Sequence, residues 1–254
     1  RRGNIEKYSQ VIKKSLFSKY HFKNKYLKKD TNRNLSKKFD QIFFDVVKDI
    51  NDSKKTLNLL NKIKMNFKQK ELNRFKNFKK IALIGMGGSI LGAEAIYSFL
   101  ETKIKKKLFF FNDLDEKKIL NFKKNENLSK TLFIIISKSG NTLETLSNTL
   151  YLNIIKKNAG NVIIISEKKN NSLFLLSKKF NLFYIEHRKN VGGRYSVLSE
   201  VGIVPAYLMG ANIKKLRSKM LYSLTRKNKK YLKIITTSLA YLAYSNNLNN
   251  LIFL

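Results

Sequence analysis

The chain has 254 residues, 43% of them hydrophobic, enough to bury one substantial core and a helical appendage. It has no cysteine and only two histidines, His21 and His187, which excludes disulfides and thiolate sites and argues against a histidine-built metal centre, so neither metal nor cofactor is expected. The formal charge of +35 is spread along the chain with abundant Asn and Ile and no basic-aromatic recognition motif, so it reads as compositional bias and no nucleic-acid partner is expected.

Residues 1–76 are rich in Lys and Asn, with apolar positions at helical spacing such as Phe39, Ile42, Phe43, Val46 and Ile50, and predict a helical lead-in. From Lys80 the pattern changes to short β-rich runs at 81–85, 108–111, 132–137, 162–166 and 182–185. Helical spacing at 90–100, 143–155 and 173–180 alternates with them, predicting an α/β domain over 77–205 with a doubly wound, mostly parallel five-stranded sheet of the flavodoxin-like kind. A turn is expected at 202–205, around Gly202 and the single proline, Pro205. Helical segments are expected at 206–224 and 229–245, so that residues 206–254 read as the helical start of a second domain. No run of about 20 uncharged apolar residues and no secretory signal occurs, so a cytoplasmic protein without a membrane partner is expected. The chain starts at Arg1 and stops in the apolar run 251–254, so both ends read as cuts within a longer protein.

Three strand ends carry the chemistry. The first runs into Gly85-Met86-Gly87-Gly88-Ser89-Ile90-Leu91-Gly92, where glycines permit a tight turn and the next helix offers free N–H groups to an anion. Gly85-x-Gly87 also opens a dinucleotide fingerprint, with Asp113 in reach as a ribose-binding acid, but Ile90 stands where its third glycine belongs. The third strand ends in Ser137-Lys138-Ser139-Gly140-Asn141-Thr142-Leu143-Glu144-Thr145. Three hydroxyls before a helix can enclose a phosphate, whereas ordinary capping by Asn141 or Thr142 needs only one. After the fifth strand, Asn190-Val191-Gly192-Gly193-Arg194-Tyr195-Ser196 delivers Arg194 on a glycine-permissive loop, either to stabilise an oxyanion or, structurally, to pair with Glu200. His187 reads as a surface or strand-end residue.

Taken in order, these three segments resemble the signature segments of the glucose-6-phosphate isomerases, and the resemblance extends over about residues 80–215. The Ser-x-Ser-Gly-x-Thr-x-Glu-Thr form is shared with the wider sugar-isomerase domain superfamily, while Gly-Gly-Arg-Tyr-Ser points to the glucose-6-phosphate branch. The resemblance implies a sugar-isomerase fold and exchange of glucose 6-phosphate and fructose 6-phosphate through a cis-enediolate. It implies that Ser137, Ser139 and Thr142, with the backbone of Lys138, Gly140 and Asn141, grip the 6-phosphate, that Gly88 and Ser89 line the sugar site, and that Arg194 stabilises the enediolate. Glu144 would support or touch a sugar hydroxyl. Gly140 and Asn141 depart from the bulkier Phe-Thr of many members. The family's base, ring-opening histidine and lysine are expected beyond Leu254, so the chain alone is expected not to isomerise, and a homodimer is expected at full length. The rival readings are a non-catalytic sugar-phosphate-binding regulatory domain and an isomerase for another sugar phosphate.

Overall fold

The five β-rich runs form strands β1 (Lys80–Ile84), β2 (Lys107–Phe111), β3 (Thr131–Ile136), β4 (Val162–Ser166) and β5 (Phe183–Glu186) in a computed structural model, each within one residue of its expected limits. The structure describes residues 29–61, 65–218 and 220–245, so the first 28 residues of the expected lead-in and the apolar run 251–254 lie outside the described residues. All neighbouring strands pair in parallel, in the order β2-β1-β3-β4-β5, which is the doubly wound α/β architecture.

Helices α1 (Lys29–Asn51) and α2 (Gln69–Leu72) precede the sheet; α3 (Leu91–Leu100), α4 (Glu116–Asn125), α5 (Leu143–Tyr151) and α6 (Ser172–Lys179) link successive strands. Helices α7 (Glu200–Met209), α8 (Ile213–Arg217) and α9 (Arg226–Tyr244) follow β5. Because side chains alternate across a strand, Ile81, Leu83, Leu132 and Ile134 enter one core layer with Ala93 of α3 and Val201, Val204 and Leu208 of α7. Ala82, Ile84, Phe133 and Ile135 enter the other, with Ile119 and Phe122 of α4 and Leu173 of α6. Right-handed crossovers explain the division: the chain moves one way from β1 to β2 and the other way from β2 onwards, so α3 and α4 fall on opposite faces.

Helix α4 is not singled out by the sequence, because its inward residues Ile119 and Phe122 sit among lysines. Helix α5 ends at Tyr151 rather than 155, and Asn153 beyond it adopts a left-handed φ of 54°. The expected turn at 202–205 is instead the middle of α7, which is capped by the Ser199 hydroxyl and is buried throughout except at Tyr207. A proline inside a helix costs roughly 3 kcal/mol, yet burying the apolar side chains around Pro205 outweighs that local preference. Gly202 serves packing: a Cβ there would lie 2.1 Å from the Val197 carbonyl oxygen. The single helix expected over 206–224 is broken where Gly210 takes φ 100° and terminates α7.

The contacts define two compact units, Asp49–Lys219, which holds the sheet, and a second made of Arg1–Lys48 with Met220–Leu254. The expected boundaries at 76/77 and 205/206 both fall inside the first unit. Within the second, Asp40 on α1 pairs with Lys229 (3.1 Å) and Lys233 on α9, and Lys229 lies over the Phe43 ring. No described helix is long and apolar enough to cross a membrane.

Candidate functional site

The strand order reverses between β1 and β3, and the loops that follow these two strands flank the crevice where open α/β sheets bind ligands. They are the Gly85 turn and the Ser137 loop, brought together by parallel register that sets Ile84 beside Ile135. The approach is close: a Cβ on Gly85 would lie 2.8 Å from the Ile136 carbonyl oxygen.

In the Ser137 loop the hydroxyls converge. Ser137 Oγ and Thr142 Oγ1 share a hydrogen bond of 2.8 Å, and Ser139 Oγ lies 3.4 Å from each of them. The amides of Gly140 and Asn141 donate inward, to Ser137 Oγ and Ser139 Oγ at 3.2 Å. Thr142 occupies the N-cap position of α5, but its side chain caps nothing, so the first-turn N–H groups of the helix keep their positive end free for an anion. The simple capping alternative is therefore not what this loop does.

The loop is held from behind by the start of α6. Gly140 has φ 70°, and a Cβ on it would fall 1.8 Å from Asn171 Oδ1. Leu173 N donates to Gly140 O (3.1 Å) and Ser172 N to Asn141 Oδ1 (2.8 Å). Asn171 itself accepts from Phe174 N (3.0 Å) and donates to Glu167 O (2.8 Å). The Gly140-Asn141 pair thus fits an asparagine that fills the space a larger residue would need.

Arg194 lies on a 3-10 turn, Gly193–Leu198, fastened to the Gly85 turn. A Cβ on Gly88 would come within 2.2 Å of Gly193 O, and the buried Ser196 hydroxyl donates to Gly88 O and Gly193 O, each at 2.7 Å. Gly88 and Ser89 are half-buried beside this contact. The Arg194 side chain is exposed and forms no ion pair among the described residues. Glu200, its expected structural partner, is instead fully buried and accepts from Arg188 Nε (2.9 Å) and Asn66 N (3.0 Å). Glu144 is half-buried in the first turn of α5, without an ion pair among the described residues.

His187 follows β5 as expected but is buried rather than on the surface, with Nδ1 2.9 Å from Arg188 O. Burial, with Lys138 adding to it, holds its imidazole below the ordinary value despite the opposing pull of that carbonyl and of Glu200 and Glu167, which keeps it neutral near pH 7. Ile90, in the place of a dinucleotide fingerprint's third glycine, is core, and Asp113 pairs with Lys118 at an exposed position. A cavity of about 600 Å³ beside β2 is lined by residues 107–112 and by parts of α3 and α4, and contains none of the loop residues above. The candidate site is thus an open cradle on the sheet's carboxyl edge. Asn171 and Arg188 are not singled out by the sequence, nor is the reach of the Ser196 hydroxyl to Gly88, 108 residues away in the chain. Thr145 Oγ1 and Glu200 Oε2 are buried without a hydrogen-bond partner among the described residues.

A five-stranded parallel sheet in this order, with three hydroxyls converging beside its reversal, defines a doubly wound α/β domain. A hypothetical protein of Thermus thermophilus shares the fold at TM-score 0.64 and 20% identity, covering 85% of this chain and 54% of that one. A glucose-6-phosphate isomerase of Chlamydia trachomatis does so at TM-score 0.54 and 24% identity, over 74% and 37%. The sequence matches the phosphoglucose isomerase family over residues 24–218, and the chain belongs to that family. It is 39% identical over 155 residues to a probable glucose-6-phosphate isomerase of Methanococcus maripaludis, covering 58% of this chain and 35% of that protein. The chain spans about a third of the length of the curated relatives it matches.

Proposed function

We propose that this chain forms the phosphate-gripping half of an enzyme that interconverts glucose 6-phosphate and fructose 6-phosphate. The observation that carries the reading is the convergence of the Ser137, Ser139 and Thr142 hydroxyls at an uncapped helix N-terminus beside the β1/β3 reversal. A phosphate there would replace the hydroxyls' mutual hydrogen bonds with charge-assisted ones and accept from the free N–H groups of α5. The sugar would then extend toward Gly88 and Ser89, against which the Arg194 loop is fastened. With no ion pair to break among the described residues, the Arg194 guanidinium is available to the oxyanion of a cis-enediolate as it develops.

The three site loops, 85–89, 137–142 and 190–196, contain no carboxylate and no imidazole, so the base that moves the proton between adjacent carbons has to come from elsewhere. The 254-residue chain is expected to bind fructose 6-phosphate without isomerising it, with the complete enzyme acting as a cytoplasmic homodimer. Calorimetric titration with fructose 6-phosphate tests the binding. Ser137→Ala and Thr142→Ala should each weaken it by about ten- to hundredfold, the usual weight of a hydrogen bond to a charged group. Equal affinity in wild type and Ser137→Ala, or binding of unphosphorylated fructose just as tightly, would sink the reading.

A further inference from the structure

Lys138 lies at the centre of the phosphate loop, and an ammonium so placed would ordinarily be assigned to the phosphate. Its geometry directs it elsewhere. Lys138 Nζ donates to the carbonyl oxygen of Lys189 at 3.0 Å and lies 3.5 Å from Glu167 Oε1, so the ammonium joins the loops that follow β3, β4 and β5. Glu167 is itself largely buried, held by Lys169 at 2.8 Å, and its amide donates to Lys138 O at 3.1 Å. Its carboxyl, which burial alone would raise, is brought below its ordinary value by Lys169 and Lys138.

Lys189 is five positions before Arg194 in sequence. The next residue toward Arg194, Asn190, is anchored, donating from Nδ2 to Ser53 O and Lys55 O (3.1 and 3.2 Å) and accepting at its carbonyl from Thr56 Oγ1 (2.7 Å). Arg194 is therefore flanked by two anchored residues, Asn190 and Ser196, and the Lys138 ammonium holds the carbonyl of the residue that precedes Asn190.

We propose that Lys138 is a positioning residue whose ammonium ties the phosphate loop to the loop delivering Arg194, rather than a ligand of the phosphate. This rests on the sugar-phosphate reading above for what the two loops bind. Through the tether, an anion that orders the phosphate loop also steadies the arginine loop, and gripping the phosphate helps to place the group that meets the sugar's oxyanion.

The test uses the 254-residue chain with inorganic phosphate as the probe, in wild type, Lys138→Met, Lys138→Arg, Glu167→Gln and the Lys138→Met/Glu167→Gln double variant. Amide hydrogen exchange over residues 189–196 is measured without phosphate, and affinity by NMR titration. The expected result is faster exchange over 189–196 in Lys138→Met and in Glu167→Gln, restored by Lys138→Arg. Phosphate affinity should fall about two- to fivefold in Lys138→Met and in Glu167→Gln, the scale of a partly exposed ion pair, and no further in the double variant. Unchanged exchange with an affinity loss above about tenfold in Lys138→Met would make the ammonium a phosphate ligand and overturn the proposal, as would losses that multiply in the double variant. If wild type binds neither phosphate nor fructose 6-phosphate, the sugar-phosphate reading fails, while the exchange comparison still decides whether Lys138 couples the loops.

Discussion

Replacing Gly140 with alanine probes how rigidly the Ser137 loop is built. The residue sits at φ 70°, a conformation that costs an L-residue about 1 to 2 kcal/mol, and the new Cβ would lie 1.8 Å from Asn171 Oδ1 and 2.2 Å from its Cγ. Asn171 is buried and has to move, losing its N-cap bond to Phe174 N, worth about 1 kcal/mol, and its bond to Glu167 O, worth about another. The expected destabilisation is together about 3 to 4 kcal/mol. In an Asn171→Ala background the two side-chain bonds are already absent, so the same glycine substitution should cost only the conformational part, about 1 to 2 kcal/mol. Because the chain has no tryptophan, urea unfolding is followed by tyrosine fluorescence and far-ultraviolet circular dichroism across the four-member cycle. A loss below about 1 kcal/mol for Gly140→Ala, or the same loss in both backgrounds, would refute the idea that Asn171 and Gly140 are a matched pair.

Gly88→Ala sets a Cβ 2.2 Å from Gly193 O and 2.3 Å from its carbon, so backbone rather than a side chain must yield; the variant should lose more than about 2 kcal/mol, and exchange over 192–196 should quicken. Gly87→Ala is the control: its φ of 50° carries a conformational cost, but nothing lies within 4 Å of the added Cβ, so a loss equal to that of Gly88→Ala would count against the backbone contact. His187, whose imidazole burial holds below its ordinary 6.5, takes up its proton more readily in the unfolded chain. Its contribution to stability is thus intact above about pH 6.5 and is lost as pH falls through that value toward the folded one, by at most about 1.4 kcal/mol per pH unit. His187→Gln should flatten urea-unfolding stability between pH 7.5 and 5.5 relative to wild type, and an unchanged slope would show that the imidazole is not the group responsible.

Much of the site was legible in the chain because its parts are local. The hydroxyls of Ser137, Ser139 and Thr142 fall within six residues, and one short loop necessarily brings them together. The same holds for the Gly85 turn, where glycine permits what other residues resist. What each long polar side chain reaches was not legible. Lys138 turns to Glu167 and Lys189, Glu200 takes Arg188 rather than Arg194, and Ser196 fastens Gly88 across 108 residues of sequence.

By itself the sequence determined the five strands, through short Ile-, Leu-, Val- and Phe-rich runs that are buried on both faces in the central β1, β3 and β4, and it determined that hydroxyls, glycines and one arginine follow three of them. Only the tertiary structure decided that β1 and β3 are neighbours, so that the glycine turn and the serine loop flank one crevice. It also decided that residues 200–209, glycine and proline included, are helix. The physical reason is common to both. Local propensity differs by a few kcal/mol at most, whereas closing the sheet and burying both its faces brings together apolar surface from residues far apart in the chain, and that burial, being the greater free energy, selects the partners.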